Sequence, residues 1–191
     1  MALTTYTAGE VLTATSLNDN FAFAASGGLA LVTAETAFTT AASVSLATNT
    51  FTSTYRNYRV VFQLSAASAI LTITSRLRAA GTDSSTAQYQ QMSTGLSQTA
   101  AASNRAEAAA TSWTIQPVFT SGYYGLVLDV LNPVAATVTQ IQGQLTADDA
   151  ATYVGRSVNG MYTAATSYDS MSFIASTGTI TGTYTVYGYS K

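Results

Sequence analysis

Few residues in this 191-residue chain are able to do chemistry. The sequence has no histidine and no cysteine, which excludes Ser-His-Asp triads, cysteine nucleophiles, disulfides and nearly all zinc or transition-metal sites. Its adjacent acidic pair is Asp148–Asp149. A calcium site needs several convergent oxygens, so we interpret this pair as a solvated turn between strands. Without disulfides, robustness must come from core packing or oligomerisation, and we expect folding in a reducing cytosol.

Two other sets of acidic residues could in principle form a catalytic pair or a calcium-binding loop. Asp129 and Asp169 could be the carboxylate pair of a glycoside hydrolase, but nothing in the sequence brings them together. The run Asn18-Asp19-Asn20 lacks the glycine and the distal glutamate of a calcium-binding loop, and the start of a helix explains it better. No phosphate-binding Gly-x-x-x-x-Gly-Lys-Ser/Thr pattern occurs. We therefore predict no enzymatic activity, no cofactor and no metal; polysaccharide cleavage is the residual alternative.

Aromatic side chains are the remaining candidates for ligand contact. Trp113 and twelve tyrosines could stack on sugars. Most of them fall on strand faces that also carry the apolar residues, which predicts a place in the core. Tyr162 and Tyr168 flank the polar loop 163–167. We therefore predict that these two tyrosines are exposed and face a receptor.

The charge content limits the possible partners. Only 8% of the residues are charged and the net charge is −2, against roughly 25% charged residues in ordinary domains. The seven cations are scattered along the sequence, so capture of nucleic acid or of an anionic membrane by charge is not expected. The sequence also shows neither a signal peptide nor an apolar run long enough to span a membrane.

Residues 1–28 are predicted to form a separate N-terminal arm. Ser16 begins a capping-box-like pattern, and apolar residues then recur at helical spacing until Gly27-Gly28. A helix of about ten residues is too short to be stable alone in water, so it must contact something else. The residues that we predict to make attachment or oligomer contacts are Val11, Leu12, Leu17 and Phe21.

Residues 29–191 are predicted to form one all-β domain. Apolar and polar residues alternate with a period of two in segments such as 58–64, 71–77 and 124–130. Turn sequences separate these segments; they are Ala80-Gly81-Thr82-Asp83, Ser121-Gly122, Asn132-Pro133, Asn159-Gly160 and Thr177-Gly178. Eight to eleven short strands without a long helix predict an antiparallel β-sandwich of the jelly-roll type. The Ala-rich segment 98–112 is either a short surface helix or a flexible excursion.

Several motifs resemble those of tail and fibre proteins of tailed bacteriophages. The stretch YTAGEVLTATSLNDNF (6–21) is similar to their N-terminal segment, in which Tyr/Phe-Thr-Ala-Gly-Glu-x-Leu-Thr-Ala precedes Leu-Asn. TYRNYRVVFQL (54–64) is similar to a strand of their distal domains, and SRLRAAGTDSSTAQY (75–89) to the next strand and turn. MSFIASTGTITGTYTVYGYSK (171–191) is similar to their closing strands. Long shafts, which many such fibres have, are missing from this sequence.

The resemblance implies a structural protein of the virion, assembled in the cytoplasm of a bacterial host. In one hypothesis it is a short tail fibre or receptor-binding protein that attaches by its N-terminus and presents the sandwich to a host surface glycan or protein. The alternative is a purely structural capsid decoration (cement) protein, head fibre, or baseplate or tail adaptor. We predict a homotrimer, because segment 123–131 carries apolar residues on both faces and the short helix must dock on something. The resemblance implies that the protein also contacts other virion proteins.

Overall fold

A computed structural model describes residues 5–11, 13–25, 27–119, 123–149 and 152–190. One helix, α1 (Ala14–Ala25), precedes thirteen strands. The strands are β1 (Leu29–Ala41), β2 (Ser43–Ser45), β3 (Asn57–Ala67), β4 (Leu71–Ala79), β5 (Thr82–Asp83), β6 (Tyr89–Ser97), β7 (Ala102–Ala110), β8 (Trp113–Phe119), β9 (Tyr124–Leu131), β10 (Thr139–Asp149), β11 (Thr152–Tyr162), β12 (Ser170–Ala175) and β13 (Ile180–Tyr189). No helix in these ranges has the length and apolar character needed to cross a membrane.

The strands form two antiparallel sheets of unequal size. The large sheet has eight strands in the order β1-β13-β3-β9-β10-β11-β6-β7. The small sheet has the order β2-β12-β4-β5, and β8 also pairs with β4. The predicted all-β antiparallel sandwich is thus confirmed. Jelly-roll connectivity in particular is not confirmed, since a jelly roll has eight strands in two Greek keys, whereas here eight strands lie in one sheet.

The core lies between the two sheets and follows the alternation in the sequence. On β3, the side chains of Tyr58, Val60, Phe62 and Leu64 are buried, as the period of two predicts. Phe62 stacks on Phe173 of the small sheet, with 4.2 Å between ring centroids. The two sheets are therefore joined by direct aromatic and aliphatic contact.

Three of the five predicted turns are confirmed. The turn predicted over Ala80-Gly81-Thr82-Asp83 is shorter in the structure: Ala80-Gly81 joins β4 to β5 as a two-residue hairpin, with both residues at positive φ, and Thr82-Asp83 is β5 itself. Asn132-Pro133 opens the connection from β9 to β10, and Thr177-Gly178 connects β12 to β13. Ser121-Gly122 lies outside the described residues.

The predicted turn at Asn159-Gly160 is wrong, because both residues lie inside β11. The glycine is explained by packing. A β-carbon built on Gly160 would lie 2.6 Å from Nε1 of Trp113 and 2.9 Å from the carbonyl oxygen of Gln90. The Trp113 indole is fully buried and donates a hydrogen bond to that carbonyl, at 3.2 Å. Glycine therefore marks the close approach of an indole ring to the sheet.

The Ala-rich segment 98–112 is mostly a strand, so both of its predicted forms, a helix and a flexible excursion, are wrong. β7 pairs with β6 in antiparallel register, with Arg105 opposite Ser93 and Asn104 opposite Thr94. Arg105 and Glu107 form an ion pair, and the side chain of Gln91 donates to Glu107 at 3.0 Å. Strand pairing and this polar network outweigh the helix propensity of alanine.

The arm contains the predicted helix, but its start differs. The helix begins at Ala14, and Oγ1 of Thr13 accepts the backbone N–H of Ser16 at 3.2 Å. Thr13 is therefore the N-cap, and the prediction of Ser16 is wrong by three residues. Both residue types cap helices well, and the Thr13 cap gives a helix of twelve residues. The helix ends at Ala25, ahead of Gly27-Gly28, with φ of +89° at Gly28.

We predict that Gly160→Val destabilises the protein by about 1–3 kcal/mol, because the new side chain overlaps the Trp113 ring. The matched control is Gly155→Val on the same strand, where a β-carbon would meet no atom within 4 Å. Urea denaturation of both variants measures the effect. Equal midpoints for the two variants would show that Gly160 does not hold Trp113 in place.

Candidate functional site

The outer face of the large sheet is the surface that points away from the small sheet. Because side chains alternate along each strand, the residues between the core positions all point to it. On β10 these are Gln140, Gln142 and Gln144, which are all exposed. The face is therefore rich in amides and hydroxyls and poor in charge.

Strand register arranges this face in rows that cross six strands, from β3 to β7. The glycine row consists of Gln63, Gly125, Thr146, Gly155, Leu96 and Ala102. The amide row lies beside it and consists of Val61, Val127, Gln144, Ser157, Thr94 and Asn104. A row across six strands is about 24 Å long at about 4.8 Å per strand.

The two rows form a depression of about 860 Å³, which we call the trough. Its floor is low because Gly125 and Gly155 carry no side chain. A β-carbon on Gly155 would meet no atom within 4 Å, and one on Gly125 would meet only Oγ1 of Thr146, at 3.8 Å. Core packing therefore does not require glycine at either position, unlike at Gly160.

Three smaller depressions continue the trough across the outer face. One of about 540 Å³ shares Gln63, Gly125 and Thr146 with it and extends to Tyr123. Another of about 270 Å³ shares Val127, Gln144 and Ser157 with it. The third, of about 550 Å³, continues from that one through Gln142 and Asn159. The face thus offers one extended groove system.

An ion pair borders the groove. Both carboxylate oxygens of Asp129 accept hydrogen bonds of 2.8 Å from Arg59, and the Tyr189 hydroxyl donates to Asp129 at 2.6 Å. Burial opposes ionisation of Asp129, but these donors outweigh it and hold its pKa below the usual range. Burial and the hydrogen bond to Asp129 raise the pKa of Tyr189 to about 12. The charges are thus paired with each other.

The structure contradicts the predicted exposure of Tyr162 and Tyr168, since both side chains are buried. Their rings pack edge to face with 5.3 Å between centroids, and Tyr89 lies 4.6 Å from Tyr162. The Tyr162 hydroxyl is hydrogen-bonded to that of Ser84 at 2.6 Å. Because Tyr162 ends β11 on the core side, the loop that follows it folds over an aromatic cluster.

Two other tyrosines are exposed near the trough. Tyr123 is 78% exposed and lines the adjoining depression, and Tyr153 is 62% exposed on the outer face of β11. The sequence carried a signal for Tyr123: its neighbour Tyr124 is on the apolar face, so Tyr123 must point the opposite way. The glycines at 125 and 155, inside strand patterns, are a second signal of close approach by another molecule.

The arm residues are placed in part. Val11 is 83% exposed and Leu17 is 39% exposed. Leu12 and the side chain of Phe21 lie outside what the structure describes. Attachment through these four residues stays a prediction.

The acidic candidates for chemistry lie in separate environments. Asp129 is bound by Arg59 and Tyr189, whereas Asp169 accepts the backbone N–H of Ala80 at 2.9 Å and the hydroxyl of Ser170 at 2.8 Å. Asp148-Asp149 ends β10 rather than forming a turn of its own. The carboxylates of Asp129 and Asp169 are thus each hydrogen-bonded to different structural partners.

Comparison of the chain with protein-family models, with curated proteins and with solved structures found no match. The resemblance to phage proteins therefore rests on the sequence motifs alone.

We predict that Tyr189→Phe lowers the free energy of unfolding by about 1 kcal/mol at pH 7, because a hydrogen bond to a carboxylate is lost. The folded-state pKa of Tyr189 is raised, so its contribution is complete below pH 10 and is lost as pH rises to about 12. The difference between wild type and variant should shrink over that interval. Chemical denaturation at a series of pH values measures it.

The control for this prediction is Tyr123→Phe, which changes an exposed tyrosine and should alter stability little. A Tyr189→Phe difference that stays constant from pH 7 to the alkaline end of the series would contradict the assigned contact with Asp129.

Proposed function

We propose that this chain is a structural protein of a tailed-bacteriophage virion, of the short tail fibre or receptor-binding type. Its arm, residues 1–28, attaches it to the particle, and its sandwich, residues 29–191, faces the host surface. It acts without catalysis, as a homotrimer that contacts other virion proteins. It is assembled in the cytoplasm of the bacterial host.

The observation that carries this proposal is the exposure of apolar side chains on the arm. Val11 and Leu17 have solvent around them although both are apolar. A helix of twelve residues gains little stability alone, so burial of these side chains against another protein would stabilise it. The arm thus has the properties of a segment that binds elsewhere.

The sandwich supports the second half of the proposal. Among the side chains that the structure describes, the buried apolar cluster is drawn from residues 44–186, all of them in the sandwich. The outer face of the large sheet remains open and contains the trough. A module of this kind can present a binding surface while a separate segment holds it to the particle.

A purely structural role is the second candidate, as a capsid decoration protein, a head fibre, or a baseplate or tail adaptor. Exposed apolar side chains on the outer face favour it, namely Met92, Leu96 and Val127. Such residues suit lateral contacts between virion subunits. In that case the outer face would be covered in the assembled particle.

We predict that Val11→Asp combined with Leu17→Asp reduces incorporation into virions at least tenfold, because charged side chains oppose burial of the arm. The melting temperature should stay within experimental error, since both side chains are exposed. Incorporation is measured by immunoblotting of purified particles from a complemented deletion phage.

The control is Ile70→Asp, which places one aspartate, against two in the double variant, at an exposed isoleucine between β3 and β4. It should be incorporated normally. Normal incorporation of the double variant would remove the arm from the attachment role.

Receptor binding and a purely structural role predict different places in the particle. We expect antibody labelling or cryo-electron microscopy to locate the protein at the distal end of the tail, and the purified protein to bind host cells and reduce phage adsorption. A location on the head, with no effect on adsorption, would establish the decoration role instead.

A further inference from the structure

We propose that the trough binds an extended, uncharged glycan, in contact with several sugar units at once. This inference rests on the proposed function, because it names the ligand class for the sandwich that faces the host. The ligand is a chain of neutral hexose or N-acetylhexosamine units. Its chemistry follows from the lining of the trough.

The side chains that line the trough on the outer face are uncharged donors, acceptors and small apolar groups. Amides come from Gln63, Gln144 and Asn104, and hydroxyls from Thr94, Thr146 and Ser157. Val61, Leu96 and Val127 supply apolar contact between them. A neutral sugar has the same mixture, because its hydroxyls ring its edge and its C–H groups form its faces.

The cations that the structure describes beside the trough are engaged with other side chains. Arg156 contributes to its wall but is only 7% exposed, and its guanidinium donates to Ser93 at 3.2 Å and to Ser103 at 2.8 Å. Arg59 is paired with Asp129. An acidic sugar would therefore bring its carboxylate onto an amide surface without a free cation to neutralise it.

The length of the groove system favours a chain over a single sugar. The trough crosses six strands, and the smaller depressions share residues with it or with one another. Tyr123 lines one end, and Tyr153 lies two residues before Gly155 on the outer face of β11. Exposed tyrosine rings at this end suit stacking on sugar rings.

The shape of the trough argues against a second copy of the same face as its occupant. A two-fold contact would place one concave face against another and leave a void, whereas interface cores pack as densely as protein interiors. A slender polymer, in contrast, can lie along the floor formed by Gly125 and Gly155.

The test uses the full chain and variants that fill or strip the trough. Gly155→Leu adds a side chain where nothing lies within 4 Å of the β-carbon, so it fills the trough and leaves the fold intact. Gln144→Ala removes an amide from the amide row. Ala34→Leu is the control, because it creates the same leucine side chain, with one carbon fewer added, at an exposed position of β1 outside the groove system.

Binding is measured by isothermal titration calorimetry and by saturation-transfer NMR. The probes are neutral dextran, mannan and chitin oligosaccharides of increasing length, with oligo-uronic and sialic acid chains for comparison. We expect at least one neutral series to bind, with affinity that rises with chain length. Gly155→Leu should weaken that binding at least tenfold and Ala34→Leu should not change it.

The outcomes separate this inference from the proposed function. If Gly155→Leu binds host cells as well as the wild type does, the trough site would be overturned and the receptor-binding proposal would stand. Preference for the acidic chains would overturn the ligand class. If the protein binds a neutral glycan, loses that binding in Gly155→Leu, and is located on the head, the results would support the trough site and overturn receptor binding. If light scattering shows that Gly155→Leu dissociates an oligomer of the wild type, the trough would be a subunit interface and the inference would be overturned.

Discussion

The alternation of side chains along the central strands of the large sheet is the constraint on which the structure depends. Phe62 lies between Phe38 of its own sheet and Phe173 of the small sheet, with centroid distances of 5.4 and 4.2 Å. A slip of one residue in β3 would bring Val61 or Gln63 into this position. It would also turn Arg59 towards the core and expose the aromatic ring. The core thus fixes the register, and the register in turn fixes which side chains form the rows of the outer face.

The core-facing side of the large sheet becomes polar at one end. Eight strands lie on one side and five on the other, and on β11, β6 and β7 the core-side residues change from apolar to polar. Burial and the nearby Arg105 lower the pKa of Arg156, a cost that the hydroxyls of Ser93 and Ser103 partly offset. The large sheet therefore continues beyond the apolar core through β11, β6 and β7, which are held by hydrogen bonds. Because of these strands, the trough extends across six strands.

The sequence alone predicts which side chains are buried in strands where apolar and polar residues alternate clearly, as the buried faces of β3, β4 and β9 show. It was insufficient where two local preferences compete. Thr13 and Ser16 are both good caps, and alanines in β7 prefer a helix until β6 pairs with them. Tyr162 and Tyr168 flank a polar loop, but only the tertiary fold reveals that this loop closes over Tyr89. The trough itself depends on register between six strands, which no local pattern contains.

The low charge of the chain determines how strongly the trough can bind. Because the described lining of the trough includes no exposed charged side chain, charge-assisted hydrogen bonds and long-range steering contribute little there. Affinity then rests on apolar contact with residues such as Leu96 and on neutral hydrogen bonds of about 1 kcal/mol each. If the trough binds a sugar chain as we propose, a single trough would hold it weakly. A homotrimer held at one end by its arms would present three troughs together, and simultaneous binding raises the overall affinity by about 10²–10⁴. A weak, uncharged site is therefore compatible with firm adhesion only if several copies are held together. In the function that we propose, the exposed apolar residues of the arm and the open trough would therefore be two requirements of one mechanism.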